Sequence, residues 1–302
     1  MNCSTEPGGV AASPLPSDLL LRRRYRSPEL TIRGRRFAWG ERTYIMAIIN
    51  VTPDSFSGDG TGGDPAKAAE LARRFEAAGA DIIDIGAESS RPGAEPLAAE
   101  VELDRLMPSL VAVRAVTNLP ISVDTYHATT ARRALEAGAD MLNDIWGLRF
   151  DPEMARVAAE AGVPVVAMHN QRGRPFHELI ADIACGFEAS LAIAADAGIP
   201  PSRIILDPGF GFGWTPEQNL EMVRRLRELW RFDLPLLLGP SRKSTIGLVL
   251  DAPVDQRLEG TAAVAALAIA GGVDILRVHD VEQVVKVARM ADAVVRGRWR
   301  AQ

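Results

Sequence analysis

The stretch AAGADIIDIG, residues 77–86, indicates the fold of this chain. A helical pattern ends at Gly79, and an apolar run then ends in polar residues. Glycine ends helices readily because it adopts the left-handed conformation without a Cβ clash. The apolar run does not alternate with polar residues, which is typical of a parallel strand buried on both faces. The same order recurs in EAGADMLNDI (136–145), EAGVPVVAMH (160–169) and AGGVDILRVH (270–279), and more loosely in AGIPPSRIILDPG (197–209).

Further strands at Tyr44, Pro120–Val123 and Leu234–Gly239 bring the number of predicted strands to eight, each followed by an amphipathic helical stretch. Eight such units in about 260 residues predict a (β/α)8 TIM barrel, an α/β fold. The alternative is a doubly wound open sheet, but no GxGxxG follows the first strand.

The N-terminal part has a different composition. Residues 1–27 are rich in Pro, Gly and Ser without periodicity, which predicts a flexible leader before a barrel domain at 28–298. Leu30–Ile32 and Arg36–Trp39 predict a hairpin with Gly34 in its turn. We expect this hairpin to cap one end of the barrel.

Composition narrows the class of protein. The 302 residues are 47% hydrophobic and 24% charged, with a net charge of −5, so nothing favours nucleic acid or an anionic membrane as partner. The two cysteines support neither a disulfide framework nor a thiolate metal site, and Cys185, in an apolar helical pattern, is expected in the core. No apolar run reaches the roughly 18 residues of a membrane span, and Arg22–Arg24 interrupt the only early apolar run. A cytoplasmic enzyme or binding protein is the expectation.

Polar or ionisable residues end all eight predicted strands, where barrel enzymes carry their active sites. In LLLGPSRKS (236–244), an apolar strand leads directly into two cations and two hydroxyls, which is suited to binding an anion. Alone, this loop fits a solvated basic turn equally well; the remaining strand ends favour a site. The polar residues at all eight strand ends are Asn50, Asp84, Asp124, Asn143, His169, Asp207, Ser241–Ser244, and Arg277 with His279.

The motifs at these ends resemble the dihydropteroate synthase family from about Tyr44 to Arg296. They are NVTPDSFS (50–57), DIGAESSRPG (84–93), SVDT (122–125), NDI (143–145), MHN (168–170), LDPGFGFG (206–213), GPSRKS (239–244) and RVHDV (277–281). The resemblance implies an enzyme that joins a pterin-methyl diphosphate to 4-aminobenzoate and releases diphosphate.

The resemblance also implies site residues. Lys243, Asp124, Asp207, Arg277 and His279 form the expected catalytic set, and Asn143 and Met168 complete the pterin pocket. Carboxylates, amides and a cation suit a flat ring with adjacent donors and acceptors. The alternative for Asp124 is a cap for the next helix.

The diphosphate requires charge neutralisation. Arg277 and His279 are two residues apart on one strand, so both point to the same face and can bind the same anion; His279 has the alternative of a buried structural histidine. Asn50 resembles the family's Mg2+ ligand, and Mg2+ usually keeps several waters. Ser90 and Arg91 are expected to contact substrate from the second loop.

The expected aminobenzoate pocket comprises Pro53, Phe56, Phe212, Ser241 and Arg242, where sulfonamides should compete. Loops 52–63 and 87–95, dense in Gly, Pro and Ser, are expected to act as lids. The expected chemistry is dissociative and requires no strong general base.

The chain departs from the family pattern at Ala87, Ser90, SFSGDG (55–60) and Trp214, where the family generally has Lys. These departures leave open a non-catalytic pterin-binding paralogue. A pterin-dependent methyltransferase acting on a corrinoid partner is a second possibility, and a barrel that serves only as a scaffold is a third. We expect a homodimer built on the apolar helix Val281–Val295.

Overall fold

The computed structural model describes Tyr25 and residues 29–52, 61–88 and 96–297. Within these residues lie ten strands and nine helices. The predicted leader, apart from Tyr25, falls outside the described residues.

Eight parallel strands form the barrel, which confirms the predicted fold. The order β8-β7-β6-β5-β4-β3-β10-β9 is closed by a parallel bridge between Leu206 and Leu236. The strands are β3 (Tyr44–Asn50), β4 (Ile82–Gly86), β5 (Ile121–Asp124), β6 (Met141–Asp144), β7 (Val165–Met168), β8 (Ile204–Asp207), β9 (Leu237–Leu238) and β10 (Ile275–Val278).

Helices surround the barrel and end largely as the sequence indicates. Asp64 caps the first helix by accepting from the backbone N–H groups of Ala66 and Lys67, and Gly79 ends it with φ 98°. The helices are α1 (Pro65–Ala78), α2 (Ala99–Arg114), α3 (Ala128–Glu136), α4 (Met154–Ala161), α5 (Leu179–Asp196), α6 (Pro216–Arg225), α7 (Ser244–Leu250), α8 (Leu258–Ala270) and α9 (Val281–Arg296).

The predicted hairpin closes the N-terminal end of the barrel. Strands β1 (Glu29–Ile32) and β2 (Arg35–Ala38) pair antiparallel around a turn in which Arg33 and Gly34 both have positive φ. The Phe37 side chain is 1% exposed, and burying a side chain of this size stabilises the fold by about 2–3 kcal/mol. With Leu30, Ile32 and Trp39 it packs against residues at the N-terminal ends of the barrel strands. The ligand-binding end is therefore the opposite one.

The prediction for Cys185 was wrong, because its side chain is exposed on α5. The buried face of this helix is formed by Ile183, Ala184 and Phe187, and Cys185 falls outside that face. None of the helices in the described ranges is long and apolar enough to cross a membrane.

Candidate active site

A network of ion pairs and hydrogen bonds lies at the C-terminal end of the barrel. The Arg277 guanidinium donates from Nε to Asp84 Oδ2 at 2.6 Å and from Nη2 to Asp124 Oδ2 at 2.6 Å. The Asn143 amide donates to the same Asp84 oxygen at 3.2 Å. Neighbouring strands β4, β5 and β6 position these three side chains, and Arg277 reaches the two carboxylates from β10.

Asp84 is the functional candidate that the predicted site set omitted. Its side chain is fully buried, and it joins two residues of that set. The sequence does indicate a special role for Asp84, because a carboxylate inside the apolar run IIDIG requires a buried partner. The partner, however, is 193 residues away.

Lys243 and Asp207 lie near this network. Lys243 Nζ is 4.0 Å from the centroid of the Phe212 ring. Asp207 accepts a 2.8 Å hydrogen bond from the backbone N–H of Gly209. Gly211 has φ 82°, and a Cβ there would lie 2.8 Å from the Lys243 side chain, so the glycine-rich loop allows the lysine to approach.

An apolar wall adjoins the charged groups. Tyr126, Ile145, Met168 and Phe212 form one buried cluster, and Trp146 packs against it. A flat ring with polar edges fits between such a wall and carboxylate and amide groups. The predicted Met168 and Phe212 thus lie together.

Burial shifts the pKa of three of these groups in the direction that favours the uncharged form. It raises the pKa of Asp124 to about 7, where Arg277 opposes the shift and Asp84 adds to it. It raises the pKa of Asp207 to about 6, where the Gly209 N–H opposes the shift. It lowers the pKa of Lys243 to about 7, and Arg277 adds to that shift. Groups with such pKa values concentrate at functional sites.

His279, Ser241 and Arg242 are engaged within the protein. His279 Nδ1 and Ser241 Oγ are 3.0 Å apart. Arg242, in the left-handed region with φ 57°, forms a two-pronged pair with Asp280 that includes a 2.9 Å bond from Nε to Oδ2. The Arg242 backbone is fixed as well, because its N–H donates to Thr261 Oγ1 at 3.1 Å and its carbonyl accepts from Arg257 at 3.0 Å.

Asn50 ends β3 and is half-buried. Its backbone carbonyl accepts from the Thr61 N–H at 3.0 Å, whereas no hydrogen bond between described residues engages its side-chain amide. An amide oxygen of this kind fits one ligand position of a Mg2+ ion whose other ligands are waters and phosphate oxygens. Four predicted contacts lie outside the described residues: Pro53, Phe56, Ser90 and Arg91.

A second group of side chains with the spacing of metal ligands lies nearby. Donor atoms of Glu88, Glu102 and His127 all lie within 4.8 Å of one another. Two protein hydrogen bonds already use them, since Tyr126 donates to Glu88 at 2.6 Å and His127 Nδ1 is 3.0 Å from Glu102. We interpret the cluster as an anchor for the start of the second loop.

Trp214 and His169 pack against each other. Trp214 is 8% exposed, and its ring centroid lies 5.6 Å from that of His169. Burial lowers the pKa of His169 to about 4, so the imidazole is neutral, and its Nε2 is 2.9 Å from Gln171 Oε1. This strand-end histidine is therefore used in packing.

Residues 46–279 match the family model described as pterin binding enzyme. The dihydropteroate synthase of Synechocystis sp. is 46% identical over 285 residues, covering 91% of this chain and 97% of that protein.

Two solved structures are similar over most of the chain. The dihydropteroate synthase of Clostridium difficile, determined with pteroic acid, has a TM-score of 0.81 at 46% identity, covering 85% of this chain and 98% of that one. The enzyme of Xanthomonas albilineans with 4-aminobenzoic acid has a TM-score of 0.81 at 38% identity, covering 89% and 98%.

Proposed function

Because the chain belongs to the dihydropteroate synthase family, we propose that it condenses 6-hydroxymethyl-7,8-dihydropterin diphosphate with 4-aminobenzoate. The products are 7,8-dihydropteroate and diphosphate, so the protein is a transferase of folate biosynthesis. The observation that carries this proposal is the convergence of Asp124, Asn143, Asp207, Lys243 and Arg277 beside one apolar wall.

The pterin ring lies between this wall and the polar network. Asp207 accepts from ring N–H groups, Lys243 donates to ring acceptors, and Asn143 and Asp124 bind the remaining edge. Bound ring donors favour the ionised carboxylates, which burial alone disfavours. Ligand binding and carboxylate ionisation therefore reinforce each other.

The leaving diphosphate is bound at the last strand. Arg277 and His279 contact its oxygens, and a Mg2+ ion held by Asn50 would shield its negative charge. Arg277 stays charged throughout, because the adjacent Asp84 and Asp124 carboxylates raise its pKa despite burial. Its two bonds of 2.6 Å fix the guanidinium before substrate arrives, so little reorganisation is needed.

The reaction requires positioning and charge stabilisation. The C–O bond to diphosphate breaks with the electron pair leaving on oxygen, and the aniline nitrogen uses its lone pair to form the C–N bond. The nitrogen then releases a proton to solvent. An aniline nitrogen is nucleophilic without prior deprotonation, so no strong general base is required.

The competing functions make different demands on the site. A corrinoid-dependent methyltransferase has no diphosphate to bind, which makes the proposed diphosphate contacts of Arg277 and His279 unnecessary. A non-catalytic paralogue was left open by the departures at Ala87, Ser90, SFSGDG (55–60) and Trp214, and of these Trp214 packs on His169. A barrel that serves only as a scaffold does not need a buried network of charged side chains at its strand ends.

We propose a homodimer in which a second copy covers the last helices. Large apolar side chains are exposed there, and Met290 and Val294 lie one turn apart on α9 with 67% and 57% exposure. The neighbouring exposed side chains are Leu248, Val249 and Leu250 of α7 and Leu267 of α8. Such a cluster is typical of a protein interface. A cytoplasmic location is part of the same proposal.

Product analysis tests the proposed function. The purified protein is incubated with the pterin diphosphate, 4-aminobenzoate and Mg2+, and dihydropteroate is identified by mass spectrometry. We expect product with 4-aminobenzoate and competition by sulfonamides. Pterin binding without product would instead support the non-catalytic paralogue, and methyl transfer to a corrinoid protein would support the methyltransferase.

A further inference from the structure

Arg257 lies between α7 and α8, and its guanidinium joins the backbone on either side of α7. Nε donates to the Ala252 carbonyl at 3.0 Å, just after the helix, and Nη1 donates to the Arg242 carbonyl at 3.0 Å, just before the helix N-cap Lys243. The helix has only seven residues, so few of its backbone groups are paired within it. One side chain therefore holds the chain at both helix ends.

Gly247 lies in the middle of α7, against this guanidinium. A Cβ at Gly247 would lie 2.3 Å from Arg257 Nη2 and 2.4 Å from its Cζ. Glycine is unfavourable within a helix, and here it leaves the space that the guanidinium occupies. The close contact therefore depends on the residue types at both positions, 247 and 257.

Arg242 is the residue of the SRKS loop that Arg257 contacts. It has φ 57°, a left-handed conformation that is unfavourable for a residue with a Cβ. Its N–H donates to the Thr261 hydroxyl at 3.1 Å, while its carbonyl accepts from Arg257. Thr261 is completely buried, and its own N–H donates to the Arg257 carbonyl at 2.9 Å. Residues at the start of α8 thus hold both backbone groups of Arg242.

The conformation of Arg242 sets the direction of the next residue, Lys243. The Lys243 Nζ lies 4.0 Å from the centroid of the Phe212 ring, in the proposed pterin pocket. Lys243 is also the N-cap of α7, so a tilt of that helix would move its backbone directly. A misplacement of about 1 Å, even when it comes from a mutation far from the chemistry, can lower the rate about 100-fold.

We propose that Arg257 is a positioning residue that acts through Lys243. Its hydrogen bonds to the two carbonyls, together with the support of Thr261, keep Lys243 in the geometry that the pterin ring requires. A guanidinium suits this task because its planar fork presents several N–H donors in fixed directions. The proposal rests on the proposed function, which assigns Lys243 to the pterin.

A double-mutant cycle tests whether Arg257 acts through Lys243. The value of kcat/KM for the pterin diphosphate is measured at saturating 4-aminobenzoate in Arg257→Met, in Lys243→Met and in the double variant, with excess enzyme so that slow turnover is followed. We expect Arg257→Met to lower kcat/KM about 10- to 100-fold when Lys243 is present. In the Lys243→Met background the same change should cost less than about threefold, because the group that Arg257 positions is gone.

Equal losses in the two backgrounds would show that Arg257 affects activity independently of Lys243 and would overturn the proposal. So would an unchanged kcat/KM in Arg257→Met. Thr261→Val keeps the side-chain shape and removes the acceptor for the Arg242 N–H, so the same cycle with this variant decides the question if Arg257→Met does not fold. Its effect should also depend on Lys243, and an effect of equal size without Lys243 would contradict the proposal.

Arg227→Met is the control for a general loss of stability. Arg227 is half-buried, and its Nη2 donates to the Ala270 carbonyl at 3.1 Å, at the other end of α8. That end is about 20 Å along the helix from Arg257, so Arg227→Met should lower the melting temperature and leave kcat/KM unchanged. An equal loss of kcat/KM in Arg227→Met and Arg257→Met would assign the effect to stability and overturn the proposal. Absence of turnover in the wild-type protein would instead refute the proposed function itself.

Discussion

Asp84→Asn removes one negative charge from the centre of the site while keeping the side-chain shape. Asp84 Oδ2 accepts from Arg277 at 2.6 Å and from Asn143 at 3.2 Å, and the side chain is fully buried. The amide can still accept from Arg277 Nε, and Arg277 also keeps its bond to Asp124.

The expected cost in stability follows from these contacts. A hydrogen bond to a charged group contributes about 1.5–3 kcal/mol, and removing one partner of a buried ion pair costs about 3–5 kcal/mol. Because Arg277 retains Asp124, we expect a loss of about 2–4 kcal/mol in the free energy of unfolding. At roughly 2 °C per kcal/mol for a chain of this size, the melting temperature should fall by about 4–8 °C.

We expect Asp84→Asn to lose catalytic activity in addition to stability. Arg277 loses one of its two carboxylate partners, so we expect kcat/KM for the pterin diphosphate to fall about 10- to 100-fold. The matched control is Asp81→Asn, at the residue just before the same strand. Asp81 accepts from Arg42 at 3.0 Å and from the Ile45 N–H at 2.9 Å, at the closed end of the barrel.

Both variants are assayed well below their melting temperatures. We expect both to lose stability and only Asp84→Asn to lose activity. If Asp84→Asn is destabilised like Asp81→Asn but keeps wild-type kcat/KM, the idea that Asp84 positions Arg277 is wrong. If Asp84→Asn loses no stability, the magnitude derived from the buried pair is wrong.

Three further predictions concern protonation, packing and assembly. Burial raises the pKa of Asp124 from an unfolded value of 3.8 to about 7, so the folded protein binds one more proton than the unfolded chain between these pH values, and its free energy of unfolding should fall as pH rises from about 4 to 7. Chemical denaturation of Asp124→Asn should show a shallower fall with pH, and an unaltered slope would contradict the assignment. A Gly→Ala change normally stabilises a helix by up to about 1 kcal/mol, but a Cβ at Gly186 would lie 1.9 Å from His169 Nδ1. Thermal melting of Gly186→Ala should therefore show a loss of about 2 kcal/mol or more in the free energy of unfolding, and a gain in stability would disprove the packing described. Met290→Glu on the exposed face of α9 should convert the proposed dimer to a monomer in light scattering. Arg133→Glu, at an exposed residue of α3, is the control and should keep the wild-type oligomeric state, and a persistent dimer in Met290→Glu would be the contrary result.

The barrel could be predicted because its repeat is local. Each helix end followed by a non-alternating apolar run is visible within about ten residues, as in AAGADIIDIG, and the glycines at 79 and 162 adopt the left-handed conformation expected of helix stops. The strand order then follows from the right-handed connection of successive βα units. The end of the barrel that carries the site follows from the fold.

The pairing of side chains within the site could not be read from the sequence. The role of Asp84 depends on partners on distant strands, and no local pattern indicates which carboxylate faces which cation. The GPSRKS motif predicts Arg242 as a substrate contact, and no local pattern indicates that its guanidinium also pairs with Asp280. Cys185 lies in an apolar run, and a shift of one position around the helix is enough to expose it.

The measurement that tests the central claim most directly is diphosphate release by the purified protein, compared between wild type and Lys243→Met. Lys243 is the cation that the proposal assigns to the pterin ring, and it lies beside Phe212 and Asp207. With pterin diphosphate and Mg2+ present, we predict release that depends on 4-aminobenzoate and falls at least about 100-fold in the variant, as for loss of a buried charged contact to the substrate. Release at the wild-type rate in Lys243→Met, or no release from a wild-type protein that binds the pterin, would contradict the account.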